Sequence, residues 1–548
     1  MPKLAAVFAA MLAAAPGGPP PPASVDEPAL AEVRGAAVMA DVRFLADDLL
    51  EGRKSGTRGY ELAAKYVAAR LETMGLLPGG DDGGFFQPVP LRESRLVEGK
   101  LSVRAGGGAP VGLTMREDFL MSGGLMRTES RVEAPVVFAG FGVTAPELDH
   151  DDYAGLDVAG KVVAVIRNAP ARFPSEPRAH YSSGRLKAEN AARRGAVGLL
   201  VFATPENERR VPWARIVENP DFTAVCRLLP DGTPVGVEPA LRGSALLGPE
   251  GARKLFASSP VPLEAVFTQA AEGRPRGFDL GVTVELENRS EHRSYASPNV
   301  VGLLEGSDPA LRATSVILSA HLDHIGIGAE VKGDRIYNGA YDNAMGAAVL
   351  LEAARILAGQ GQRPARSVVF LFVTSEEEGL LGSDHFAAQP PARAGRIVAN
   401  VNVDMPLFLY PLADLVAFGG ENSSLGDAAA RAAREAGLAL SPDPMPEENV
   451  FVRSDQYSFV LRGIPAVFLV PGFRSNDPTV DGRKQFGEFL ARHYHRPSDD
   501  LGRTVHPESL ARFVRVNVAL VHALASDPAA PRWKPGNFFG ETFGRPAR

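Results

Sequence analysis

Beyond residue 278 the chain alternates between two hydrophobic periods. Short apolar runs, GVTVELENRS, SPNVVGLLEG, SVILSA, SVVFLFVTS, IVANVNVDM and IPAVFLV, read as strands. Between and after them apolar residues recur at helical spacing over 343–357, 383–388, 425–436 and 507–524. Alternation of this kind predicts an α/β fold, a mainly parallel (mixed) sheet with helices on both faces. Three of the runs close on residues that can hold metal. His321 and Asp323 follow SVILSA, Glu376 and Glu377 follow SVVFLFVTS, and Asp404 follows IVANVNV. Open parallel sheets bind ligands outside the carboxyl ends of their strands, so this placement points to a two-metal hydrolase.

Upstream, apolar positions Leu62, Ala63, Tyr66, Val67 and Leu71 predict an amphipathic helix over 60–74, stopped at Gly75. FFQPVPL and KLSVRAGG are the clearest strands in the stretch of turns that follows. From residue 132 the texture changes. APVVFAGFG, KVVAVIRNAP and AVGLLVFATP read as strands and GRLKAENAARRG as a helix, a smaller inserted α/β unit ending at 277. Its histidines His150 and His180 stand at no spacing that would gather them with acids. The expected division is therefore 1–23 as a leader and tether, 24–131 as the first part of the main domain, 132–277 as the insert, 278–530 as the catalytic unit and 531–548 as an irregular tail.

Length and charge narrow the function. A chain of 548 residues exceeds what one core organises, which agrees with about two folded units. A net charge of -7, with no basic stripe interleaved by aromatics, speaks against nucleic acid as a partner. Cys226 is the only cysteine, so there is neither an internal disulfide nor a thiolate cluster for metal. Any metal must rest on histidine and carboxylate. The start, MPKLAAVFAAMLAAAPGGPPPPAS, reads as a secretory signal and a proline-rich tether, against an Ala-rich helix. Its apolar run is too short to span a membrane, and no later segment offers about 20 uninterrupted apolar residues. The expected protein is exported, with no stable membrane span; its oligomeric state is not legible.

A zinc pair needs about four N or O ligands per ion and a carboxylate that bridges the two. Two histidines and three carboxylates meet that demand, and a fourth carboxylate is then free to act as base. The two-residue offset in HLDHIG puts His321 and Asp323 on one side of an extended segment, so Asp323 could accept the imidazole N–H. His324, on the other side, reads as structural. Asp342 or Asn343 reads most simply as a helix cap, and the acids of TSEEEGLLGS as a solvated helix start or a cation site. Asp404 interrupts a strand apolar at alternate positions, where an unpaired carboxylate would be costly. His495, beside Pro497 in HYHRPSDD, reads in isolation as a surface turn residue.

The ordered set AHLDHIG, NGAYDNAMGAAVLLE, SEEEGLLGS, NVDM and YHRPSDD closely resembles the co-catalytic di-zinc aminopeptidases, the family related to glutamate carboxypeptidase and the transferrin receptor. The insert resembles the protease-associated domain that many members carry. The resemblance implies two zinc ions, one on His321 and Asp404, the other on Glu377 and His495, with Asp342 bridging. It implies Glu376 as general base and Tyr494 as a donor to the oxyanion; Asp323 joins them as a catalytic candidate through its place beside His321 in HLDHIG. It also implies a cis bond between Asp342 and Asn343, and peptides or proteins as substrates. Arg453, Asp455 and Tyr457 of FVRSDQYSF fall at the expected cleft rim, as a specificity wall or as a plain surface loop. One departure stands before the bridging acid, where the family often has Asp and this chain has Tyr341. A carboxypeptidase, a one-zinc glutaminyl cyclase and a non-catalytic receptor on the same scaffold are the competing readings.

Overall fold

The computed structural model describes residues 32–218 and 223–544, so the leader and tether expected over 1–23 lie outside the described residues. Strands Ala439–Ser441, Asp414–Phe418, Ala466–Pro471, Arg396–Val403, Thr314–His321, Ser367–Val373 and Phe278–Leu304 lie side by side in that order in the main sheet. Thr314–His321 pairs in parallel with both Ser367–Val373 and Arg396–Val403, and Arg396–Val403 pairs in parallel with Ala466–Pro471. Antiparallel pairs on both sides of this parallel centre make the sheet mixed.

The central strands are buried along almost their whole length because helices cover both faces. Their alternate residues sort by the two-residue period of a strand. Val316, Leu318, Phe370, Phe372 and Val401 pack with helices Met345–Ala358 and Pro507–Ser526. Ile317, Val369, Leu371 and Val373 point the other way, onto Phe386, Phe459 and Phe539. Predicted and observed helices agree closely, as at Arg58–Thr73 and Leu425–Glu435.

Two expectations need correction. GVTVELENRS and SPNVVGLLEG are not separate strands but the two ends of one 27-residue strand, Phe278–Leu304. It is held by strand Phe86–Ala105, which runs antiparallel to it along nearly its whole length, so the polar stretch between the apolar ends still has a hydrogen-bonded partner. The sequence signal breaks there because this part of the ribbon is only half-buried. The ribbon leaves the main sheet and carries strands Glu129–Phe138, Val162–Ile166, Gly198–Phe202 and Gly243–Leu247, the core of a second lobe with its own apolar cluster. The second correction concerns the tail, expected to be irregular. Residues Phe538–Phe543 form a short helix that buries Phe539 completely, and the Trp533 indole N–H donates to Gly463 O at 2.9 Å. Aromatic residues rescue a segment whose Gly and Pro content argues for disorder.

Candidate metal centre

The parallel strands deliver the site at their carboxyl ends. His321 is the last residue of Thr314–His321, Asp404 follows Arg396–Val403, and Glu376 and Glu377 follow Ser367–Val373 by a tight turn. Asp342 lies in the irregular turn before helix Met345–Ala358, and its bond to Asn343 is cis. His495 comes from the turn beyond helix Gly482–Arg492. Ser375, Met405 and His495 all have positive φ, at 55°, 46° and 55°, conformations that non-glycine residues adopt rarely and that gather at functional sites.

All five residues expected to hold metal converge. The two oxygens of the Asp342 carboxylate face different histidines. Oδ1 is 3.2 Å from His321 Nε2 and Oδ2 is 3.3 Å from His495 Nε2. Each imidazole nitrogen has a second carboxylate beside it, Asp404 Oδ1 at 3.1 Å from His321 and Glu377 Oε2 at 3.1 Å from His495. His321, Asp342 and Glu377 offer ligand atoms that all lie within 4.8 Å of one another. The arrangement is two half-sites, one histidine and one acid each, sharing one carboxylate.

So many buried acids demand positive charge. Burial works against the charge on His495, yet the Glu377 and Asp342 carboxylates hold its imidazole up at about 10. Burial would raise Glu377, but His495 and His324 pull it down to about 2. Asp342 is likewise held well below the usual carboxylate range, against its burial, by His321 and His495. Protonated imidazoles thus balance the acids, and two cations on the same oxygens would do so with the histidines neutral. The donor set of imidazole nitrogen and carboxylate oxygen suits zinc.

Glu376 stands beside these groups in the cleft wall. Burial, together with the charges of Asp404, Asp455 and Glu377, raises its carboxyl well above the usual range despite His321. The Tyr494 ring stacks on His495 with centroids 3.8 Å apart. Burial and then the charges of Asp342 and Glu377 keep its phenol protonated and able to donate.

Asp323 does something other than expected. Its backbone carbonyl, not its carboxylate, faces His321 Nδ1, at 3.1 Å. The carboxylate instead accepts the backbone N–H groups of Glu376 at 3.1 Å and Glu377 at 3.3 Å, so it fixes the turn that carries both glutamates. His321 ends its strand, and the turn after it brings the carbonyl of Asp323 round to the imidazole. His324, read as structural, reaches the centre: its Nδ1 is 2.6 Å from Glu377 Oε1.

Several supporting residues escaped the sequence. Asp499 accepts the backbone N–H groups of Tyr341 and Asp342, both at 3.0 Å. Ser454 Oγ donates to Asp404 Oδ2 at 2.8 Å. Asn343 Oδ1 accepts the N–H of Gly346 at 3.1 Å, as a cap would, and that of Met405 at 3.2 Å. Arg53, fully buried, donates to the carbonyls of Leu45, Leu322, Asn338 and Gly339 and places its charge among Asp499, Asp323 and Asp342. Asp499 and Ser454 lie inside quoted motifs, YHRPSDD and FVRSDQYSF, but nothing in those strings says that they serve backbone or a neighbouring acid. Of the three residues placed at the cleft rim, only Arg453 is exposed there. Asp455 is completely buried, and the Tyr457 hydroxyl meets His180 Nδ1 of the inserted lobe at 2.6 Å.

Residues 299–521 match the profile of peptidase family M28. Aminopeptidase NAALADL1 of Mus musculus is 31% identical over 267 residues, 40% of this chain and 33% of that protein. An aminopeptidase of Pseudomonas aeruginosa is 25% identical over 374 residues, 67% of this chain and 55% of that one. The chain thus spans about a third of the mouse protein and about half of the bacterial one. Among solved structures, the aminopeptidase from Aneurinibacillus sp. strain AM-1 shares the fold, with a TM-score of 0.54 at 20% identity over 92% of this chain and 97% of that one.

Proposed function

We propose, because residues 299–521 match the profile of peptidase family M28, that the chain is a zinc-dependent aminopeptidase removing N-terminal residues from peptides. One observation carries the reading: the Asp342 carboxylate divides its two oxygens between His321 and His495, each of which has a further acid of its own. A receptor on a dead scaffold would have no reason to keep this paired set. His321 and Asp404 would hold one zinc, Glu377 and His495 the other, and Asp342 both. When bound, such a pair supplies an acidified water and polarises the peptide carbonyl.

The remaining steps belong to the chain. Glu376 accepts the proton of the water as its oxygen bonds to the carbonyl carbon, and then gives that proton to the amine nitrogen as the C–N bond breaks. The raised carboxyl of Glu376 suits this exchange, since proton transfer works best near the operating pH. The Tyr494 hydroxyl donates to the developing oxyanion. Asp323 holds the Glu376 backbone in place and acts as a positioning residue. The free α-amine of a substrate would meet Glu376 and Asp404, which favours cleavage at the amino end. The lobe over 132–277, proposed to be a protease-associated domain, walls the cleft opposite these groups.

The test is hydrolysis of leucyl and other aminoacyl amides by the zinc-loaded protein, with N-acetylated counterparts and Glu376→Gln. The reading predicts cleavage of free amines only, and a loss of about 10²–10⁴ in kcat for Glu376→Gln with zinc retained. Cleavage of acetylated peptides from the carboxyl end would make it a carboxypeptidase instead.

A further inference from the structure

Ser319, Asn400 and Asn402 stand on a sheet face that is otherwise apolar. Ser319 follows Ile317 on the same side of its strand and pairs directly with Asn402, and that face packs Val369, Leu371, Phe386 and Phe459. Ser319, Asn400 and Asn402 are wholly buried, as is Gln456, and Ser454 is nearly so. Polar side chains are costly in such a place unless each finds its partner, so the hydrogen bonds among them decide which way each one points.

One end of this network is a backbone carbonyl, which can only accept. Gln456 Nε2 donates to Phe451 O at 2.7 Å, so Gln456 turns its Oε1 to Asn402 and requires a donor there. The Asn402 amide nitrogen gives one hydrogen to that oxygen and the other to Ser454 Oγ, both at 2.9 Å. Asn402 Oδ1 then faces Ser319 Oγ, which donates to it at 2.8 Å and accepts from Asn400 Nδ2 at 2.9 Å. Ser454 has a single hydroxyl hydrogen, and with its oxygen already accepting from Asn402 that hydrogen goes to Asp404 Oδ2, at 2.8 Å. The direction of each bond from Phe451 to Asp404 is thus set by the one before it. Asp404 Oδ2 is engaged on this side, and Oδ1, 3.1 Å from His321 Nε2, is the oxygen left for a cation.

We propose that Asn402 is a positioning residue of the metal centre: by giving an amide hydrogen to Ser454 it commits the Ser454 hydroxyl to Asp404 Oδ2 and so reserves Asp404 Oδ1 for zinc. This rests on the zinc peptidase reading and deepens it. Asn402 acts only through Ser454, and Gln456 fixes which end of its amide faces that hydroxyl. Without Asn402 the hydroxyl is free to turn away from Asp404. With Gln456 removed the Asn402 amide can turn over, presenting Oδ1 to Ser454 and drawing the hydroxyl hydrogen off the carboxylate.

Zinc is titrated by calorimetry into the chelator-stripped full chain, into Ser454→Ala, and into Asn402→Leu and Gln456→Met, each alone and combined with Ser454→Ala. Loss of support behind a ligand predicts about 10–100-fold weaker binding at one of the two sites in each single variant. In the Ser454→Ala background Asn402→Leu or Gln456→Met adds less than about twofold, whereas a packing defect that acts by another route adds its full loss. Unchanged affinity in Asn402→Leu, or in Gln456→Met where Asn402→Leu does not fold, overturns the proposal, as does a loss that adds in full to that of Ser454→Ala. Aminoacyl amides are assayed on the same zinc-loaded wild type. Zinc uptake without cleavage overturns the peptidase reading and leaves the role of Asn402 to the titrations, while a wild type that takes up no zinc overturns the metal centre and this inference with it.

Discussion

Asp342 can face two histidines only because other residues hold it there, and the most direct of these is Asp499. Its two carboxylate oxygens accept the N–H groups of Tyr341 and Asp342. Burial raises its carboxyl to about 6 even so, which marks a group kept in place at some cost to its charge. In Asp499→Asn one of the two acceptors becomes a donor aimed at an N–H. The expected outcome is a loss of about 1–3 kcal/mol in urea unfolding and about 10–100-fold weaker zinc binding, with the five proposed ligands untouched. Unchanged zinc affinity would show that the turn needs no such support. At this scale the sequence revealed the groups that gather at the strand ends, because His321, Glu376, Glu377 and Asp404 break apolar runs where a charge is conspicuous. It hid Asp499, Ser454 and Arg53, because they act on backbone or on other acids and interrupt no pattern. Asp323 was misassigned for the same reason: side-chain offset says where it points, not which backbone N–H groups are waiting.

Strand ends and helix periods were read well, since the central strands are covered on both faces and appear as unbroken apolar runs. The long ribbon was read poorly. Strand Phe278–Leu304 alternates between buried and exposed residues over most of its length, and only its catalytic end is continuously apolar. The terminal helix was missed because six residues cannot display a helical period. Its anchor is Phe539, wholly buried against the cluster that includes Phe451 and Tyr457. Phe539→Ala should cost about 3 kcal/mol in urea unfolding, as expected for a large ring removed from a core. A change below about 0.5 kcal/mol, the scale of surface substitutions, would mean that the tail is an appendage.

On the scale of the molecule, the antiparallel ribbon joins two lobes, and the His180–Tyr457 contact closes them against each other. Burial lowers His180 to about 4, so the ring stays neutral near pH 7 and can accept from or donate to the phenol without a charge to solvate. The sequence did not reveal that His180 meets Tyr457, because that contact joins positions 277 apart along the chain. The whole assembly serves one claim, that Asp342 joins two metal sites. Zinc titrated into the chelator-stripped protein and followed by calorimetry tests it most directly. The account predicts two ions per chain for the wild type, and a loss of tight binding at both sites in Asp342→Ala. One ion per chain, with Asp342→Ala binding it unchanged, would contradict it.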